Sequence, residues 1–201
     1  EGITHVAVKS LHLTAGMEYT DLKVLVQDIR GRPGGFERII LSIPLLEAQT
    51  DFDRTVQCLL AALPVGTGAD EALLLAAHGS RQPEAQAAYQ AAAALCRRCE
   101  RRVVLGTLMS QPGLDDVIRE CKAAGVTKLT MMPLMIVPGF SARNELAGAG
   151  PTSWVSALER EGIRCTPLVR GLGDHDDIVR IWLDDAERML TELSGSNVQK
   201  E

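Results

Sequence analysis

The sequence predicts an α/β protein of two similar halves, each a parallel sheet flanked by helices, with the first half lacking its opening strands. Three observations carry this. Short apolar runs alternate with amphipathic stretches, a βαβ rhythm that implies parallel sheets covered on both faces. Part of the chain repeats at a spacing of 123 residues. With 201 residues, 46% hydrophobic and 23% charged, the chain can bury the core of one large or two small domains.

The elements follow in order. An apolar strand carries His5 and His12, both read as packing residues or loop hydrogen-bonders, and Gly16 ends it ahead of Glu18. The stretch from Pro64 to Ala69, with two glycines and a threonine, is the best linker, placing the first half at residues 1–66. The second half, residues 67–193, opens on Leu73-Leu74-Leu75-Ala76-Ala77, the most apolar strand. A helix follows with Pro83 and Glu84 in its first turn and an Ala-rich run through Leu95. Val103-Val104-Leu105 is the next strand, and Pro112 precedes a helix with Leu114, Val117, Ile118 and Cys121 on one face and Gly125 as its stop. Strands are expected within 129–137 and 163–169. The last helix carries an apolar stripe of Ile178, Ile181, Trp182, Ala186, Met189 and Leu190 behind the acidic start Asp174-Asp176-Asp177. Residues 194–201 form a polar tail expected to fray.

The repeat aligns Gly2 with Gly125, Thr4 with Thr127, Leu11 with Leu134, Gly16 with Gly139 and Pro44 with Pro167. It predicts an ungapped register through Asp51 with Asp174 to Leu60 with Leu183. On that register the first copy lacks a strand, helix, strand and helix, which leaves open sheet edges and bare apolar faces. Two expectations follow: the chain is a fragment or has a misassigned start, or a homo-oligomer covers the gap.

Composition excludes several classes. A net charge of −5 and only seven aromatic residues give neither a phosphate-neutralising field nor stacking surface, so no nucleic acid is expected. No apolar run is long enough to cross a bilayer, so no membrane is expected either. Five cysteines, an odd number, read as reduced thiols in a cytoplasmic setting, and Cys96 and Cys99 form a lone CxxC within a helix. Without GxGxxG, GxxxxGK[ST] or GxSxG, no nucleotide cofactor and no serine hydrolase is predicted.

In open α/β sheets ligands gather beyond the carboxyl ends of strands. His78, in Leu75-Ala76-Ala77-His78-Gly79-Ser80, follows the most apolar strand; its imidazole could take a proton near neutral pH, ligate a metal, or merely bond its loop. Glu18 follows another strand, and its repeat counterpart Ser141 would face it across a pseudo-twofold cleft. Met109 is a third strand-end residue, although core packing is the commoner role for methionine. His175, between Asp174 and Asp176, belongs to a cap cluster or a site rim.

Several ordered motifs carry a family resemblance: Ser10-Leu11-His12, Gly16-Met17-Glu18-Tyr19, His78-Gly79, Gly106-Thr107, Pro112-Gly113-Leu114-Asp115, Pro133-Leu134-Met135-Ile136-Val137, Asn144-Glu145-Leu146-Ala147-Gly148, Ser153-Trp154 and Gly171-Leu172-Gly173. From residue 1 to about 190 the sequence resembles the CbiK-type anaerobic cobalt chelatases. The resemblance implies two α/β halves with a cleft between them. It implies a lyase-class enzyme that inserts Co²⁺, as substrate metal, into sirohydrochlorin or its one-step-reduced relative during cobalamin synthesis. It assigns His78 and Glu18 as catalytic and metal-binding residues, and Met109, Ser141 and Arg143, with Arg81, to the tetrapyrrole. Met109 stands where the family has a glutamate and Ser141 where it has a histidine. The alternative expectation is therefore a catalytically degenerate relative that binds a tetrapyrrole or a metal.

Overall fold

The computed structural model describes residues 2–62, 68–99 and 102–195. Two parallel sheets organise it. The first pairs β1 (His5–Val8) with β2 (Arg38–Leu41), His5 opposite Arg38; α1 (Met17–Arg30) joins them and α2 (Gln49–Ala62) follows. The second has the order β4-β3-β5-β6, all parallel. It is built from β3 (Glu71–Ala77), α3 (Pro83–Cys96), β4 (Val103–Thr107), α4 (Leu114–Ala123), β5 (Lys128–Leu134), a π-helical turn (Ser141–Leu146), α5 (Trp154–Arg160) and β6 (Arg164–Pro167). A 3₁₀ turn (Leu172–Asp174) leads into α6 (Asp176–Gly195).

Residue choice accounts for the layers. Ala72 to Ala77 of β3 are buried without a break, as a central parallel strand covered on both faces requires. One face packs Leu73, Leu75, Met132 and Leu134 on Phe52, Val56 and Leu59 of α2, on α3 and on Trp182 of α6. The other packs Leu74, Val104 and Met131 on Val117, Cys121, Trp154 and Leu158. Gly106 admits these helices: a Cβ there would stand 2.6 Å from Val117 Cγ2 and 2.8 Å from Trp154 Cη2.

The terminal helices are exchanged. α2, last in the first half, lies in the core of the second sheet, whereas α6 packs against β1 and α2. Lys9–Asp185 and Arg38–Glu192, both at 2.6 Å, tie α6 to the two-stranded sheet.

Related backbone patterns recur in both halves, but not in the predicted register. Gly2 and Gly125 both take left-handed φ, +72° and +69°, and β1 and β5 begin 123 residues apart at His5 and Lys128. The partners of these residues, Arg38 and Arg164, are 126 apart. The Leu45 N–H donates to His12 O at 3.1 Å as the Leu172 N–H donates to Met135 O at 2.8 Å, and those donors are 127 apart. The ungapped alignment therefore fails after the first strand. The second crossover holds a π-helical turn, a loop and α5 where the first holds α1 alone, and the extra residues shift everything beyond.

Other boundaries also move. β5 stops at Leu134, and Val137, within the apolar run, is 74% exposed. Leu190 points outward from the stripe of α6. Ser194 and Gly195 complete α6 instead of starting the tail. Most of the linker, the proposed 66/67 boundary and residues 196–201 lie outside the described residues. All five cysteines are unpaired, and no helix among the described residues is long and apolar enough to cross a membrane.

Candidate functional site

A cleft of about 600 Å³ opens beyond the carboxyl ends of β1, β3, β4 and β5. Its position follows from topology: the chain leaves β3 for β4 on one side and returns to β5 on the other, which parts the loops at that point. The volume lies within the usual range for a small-molecule site.

The second half supplies one wall. His78 is the first residue after β3 and is exposed to the cleft. Gly79 makes its turn possible with a left-handed φ of +83°, and a Cβ there would stand 2.7 Å from Ser110 Oγ. The Met109 N–H donates to His78 O at 3.0 Å, which joins the β3 and β4 loops, and both residues line the cleft. The Ser80 N–H donates to Ser110 Oγ at 3.3 Å and ties the same loops together. His78 Nδ1 lies 3.4 Å from Gly79 O; the tautomer protonated there leaves the Nε2 lone pair available.

The first half supplies the opposite wall. Glu18, in the first turn of α1, folds back over its own N-terminus. A Cβ on Gly16 would lie 3.5 Å from Glu18 Oε2, 3.8 Å from Thr14 Oγ1 and 3.9 Å from Ser80 Oγ. One small space thus holds a carboxylate of the first half and a hydroxyl of the second. Tyr89, buried on α3 beneath it, has its phenol pushed up, mainly by burial.

The structure adds His12, which sequence reading placed on a strand. β1 ends at Val8, so His12 lies in the following loop and lines the cleft. Its Nδ1 lies 2.9 Å from Ser10 Oγ, and its ring meets Tyr19 edge-on at 5.9 Å. The Tyr19 hydroxyl donates to Ser42 O at 3.0 Å, which holds that ring in turn. The strand-end rule that selected His78 would have selected His12 had the strand been read four residues shorter.

His12, Glu18, His78, Arg81 and Met109 are thereby brought together, and Leu11, Met17 and Met109 give the cleft an exposed apolar rim. Ser141 and Arg143 are not in its lining: they lie on the π-helical turn. The pseudo-twofold pairing of Ser141 with Glu18 is replaced by the approach of Glu18 to the β3 loop. His175 lies away from the lining, buried, with Nε2 unpartnered. Among the described residues no three His, Cys, Asp or Glu side chains form a preformed metal cluster.

Comparison with known proteins decides the family, because the cobalt chelatase (CbiK) model matches residues 1–191. The chain belongs to the CbiK cobalt chelatase family. It is 42% identical over 184 residues to sirohydrochlorin cobaltochelatase CbiKC of Nitratidesulfovibrio vulgaris, covering 92% of this chain and 64% of that protein. It is 32% identical over 178 residues to the sirohydrochlorin cobaltochelatase of Salmonella typhimurium, covering 89% and 66%. The chain thus spans about two thirds of the length of these relatives. The fold is that of SirB from Bacillus subtilis with Fe³⁺: TM-score 0.66 at 18% identity, covering 98% of this chain and 75% of that one. A sirohydrochlorin chelatase SirB from Bacillus subtilis subspecies spizizenii in complex with cobalt gives a TM-score of 0.61 at 15% identity, covering 96% and 73%.

Proposed function

We propose that this chain is a sirohydrochlorin cobaltochelatase, a cytoplasmic enzyme that inserts Co²⁺ into sirohydrochlorin or its reduced form. The observation that carries the reading is His78 at the mouth of the central strand, in a cleft lined by both halves, to which the first half contributes Glu18. Family membership and the relatives' names supply the substrate. Five unpaired thiols support the compartment.

The chemistry needs little. Two pyrrolic N–H protons must leave as one divalent ion enters, so net charge is conserved and the protein supplies a base on one face. His78 Nε2, exposed to solvent, accepts the first proton, releases it to water and then accepts the second, while Glu18 draws the dication toward the cleft. The metal passes to the macrocycle nitrogens as they deprotonate. Arg81 is positioned to meet a substrate carboxylate.

His78→Ala should slow cobalt insertion, followed by absorbance, by about 10²–10⁴-fold while sirohydrochlorin still binds. Equal loss of binding and insertion would refute the base assignment. The second reading, a tetrapyrrole binder without catalysis, draws on Met109, a weak thioether donor whose N–H is bonded to His78 O in the cleft. Its signature is a tetrapyrrole spectrum that shifts on binding the protein and stays fixed when Co²⁺ is added.

A further inference from the structure

A second groove, of about 510 Å³, runs along the outer face of α3, shares no lining residue with the cleft, and is closed on its other side by Leu46, Glu47 and Gln49. α3 turns Ala85, Tyr89, Ala92 and Cys96 into the core. Its opposite face presents Glu84, Ala87, Ala91 and Ala94, all exposed, followed by half-buried Leu95 and exposed Arg98 just past the helix end. Glu84, Ala87, Ala91, Ala94 and Arg98 recur at alternating steps of three and four, the spacing of a helix-pairing seam.

The groove-lining residues of α3 are also self-complementary about Ala91. Reversing the helix about that residue exchanges Glu84 with Arg98, Ala87 with Leu95, and Ala88 with Ala94. This is what an isologous interface demands, where the same patch meets itself across a twofold axis. Carboxylate would meet guanidinium at both ends, each Leu95 would enter the space over an Ala87, and alanines would let the two backbones approach at the centre. A parallel pairing would instead set Glu84 against Glu84 and Arg98 against Arg98. Neither charged side chain has a partner among the described residues.

We propose that this face is the twofold interface of a homodimer, with α3 packed antiparallel on α3 of a second copy over about 21 Å. The charge pattern selects a second copy over an unrelated partner, because one helix supplies both members of each pair. The axis passes beside Ala91, and the two clefts open at opposite ends of the paired helices.

Sedimentation equilibrium over a concentration series of the full chain tests it. The wild type should be in monomer–dimer equilibrium. Ala91→Glu, which sets two carboxylates together on the axis, should raise the dissociation constant by about a hundredfold or more. Glu84→Arg and Arg98→Glu should each weaken the dimer, by about tenfold, and the double variant should return to the wild-type value. All three positions are exposed, and circular dichroism should show an unchanged monomer. A wild type that stays monomeric, a dimer indifferent to Ala91→Glu, or a double reversal that fails to restore affinity would each overturn the proposal.

Discussion

The two sheets are built from the same pattern to very different depths. Every residue of β1 is only half-buried, and α1 buries Val26 alone while exposing Val24 and Leu25. β3 is buried from Ala72 to Ala77, and α3 buries six residues against it. Yet the cleft takes His12 and Glu18 from the shallow sheet and His78 and Met109 from the deep one. Burial and cleft lining are therefore partitioned differently: the second sheet carries most of the core, and both sheets line the cleft. What holds the shallow sheet in place is the exchange of terminal helices, α6 against β1.

Truncating one apolar side chain in each sheet should expose this inequality. Leu74→Ala, in the fully buried centre of β3, is expected to cost about 2–5 kcal/mol in denaturant unfolding. Val6→Ala in β1 should cost roughly 1 kcal/mol or less, because its side chain keeps part of its contact with water in the fold. Equal losses would mean that the shallow sheet is as integral to the cooperative unit as the deep one. Gly106→Ala comes next. The added methyl would meet Val117 and Trp154 well inside contact distance, so about 1–3 kcal/mol should be lost as α4 and α5 are pushed off β4.

Within the cleft the comparison can be sharpened at one residue. Met109 lies beside His78 through a backbone bond, whereas Ser141 lies outside the lining. Met109→Glu should raise Co²⁺ affinity by about tenfold or more, the scale on which even outer partners act. Ser141→His should leave calorimetric titration with Co²⁺ nearly unchanged. The reverse ranking would place the metal against the π-helical turn instead of the β3 and β4 loops.

These contrasts also mark what could be read from residue order alone. β3 and β4 were legible because strands buried on both faces are continuous apolar runs. α4 was legible because its apolar face is bounded by Pro112 and by Gly125, whose left-handed φ stops the helix. A topological rule singles out His78 and Glu18, and both line one cleft. His12 was missed because β1 ends at Val8, before the apolar and polar alternation does. The constant repeat register failed because sequence identity at Pro44 and Pro167 does not report the longer second crossover. Only the hydrogen-bond ladder shows that. The exchange of α2 and α6 left no local signal, since both amphipathic stripes read the same whichever sheet they cover.

The attachment of the shallow sheet can be loosened at Lys9. Its ammonium donates to Asp185 at 2.6 Å with both side chains about four-fifths buried, and Arg188 donates to the same carboxylate at 2.8 Å. Burial alone would push the Asp185 carboxyl up, but the bonds from Lys9 and Arg188 outweigh it and hold it below the usual carboxylate range. Such a group stabilises the fold above its unfolded pKa, and the contribution disappears as pH falls through the lower folded value. Lys9→Met should cost about 1 kcal/mol near neutrality, Arg188 remaining as partner, and should flatten the acid limb of a stability–pH curve. An unchanged acid limb would show that the Lys9–Asp185 pair contributes nothing to holding α6 against β1.

The smallest effect concerns the start of that same helix. His175 is buried, its Nε2 has no partner, and its carbonyl accepts the Ile178 and Val179 N–H groups at 3.0 Å as α6 begins. Burial, then the nearby Arg170, hold its pKa below 6.5 against the opposing pull of Asp174. The positive end of α6 disfavours an imidazolium there as well. A histidine kept neutral in the fold but free to charge in the unfolded chain contributes fully above the unfolded value, and the contribution is lost as pH falls from there to the folded value. Wild-type protein should therefore lose stability on acidification from neutrality, before the carboxylates titrate. His175→Leu keeps the bulk, removes the unpartnered nitrogen and should match or slightly exceed wild type near neutrality while losing less toward pH ~5. If the two urea midpoints fell in parallel, His175 would not be the group that weakens the start of α6 in mild acid.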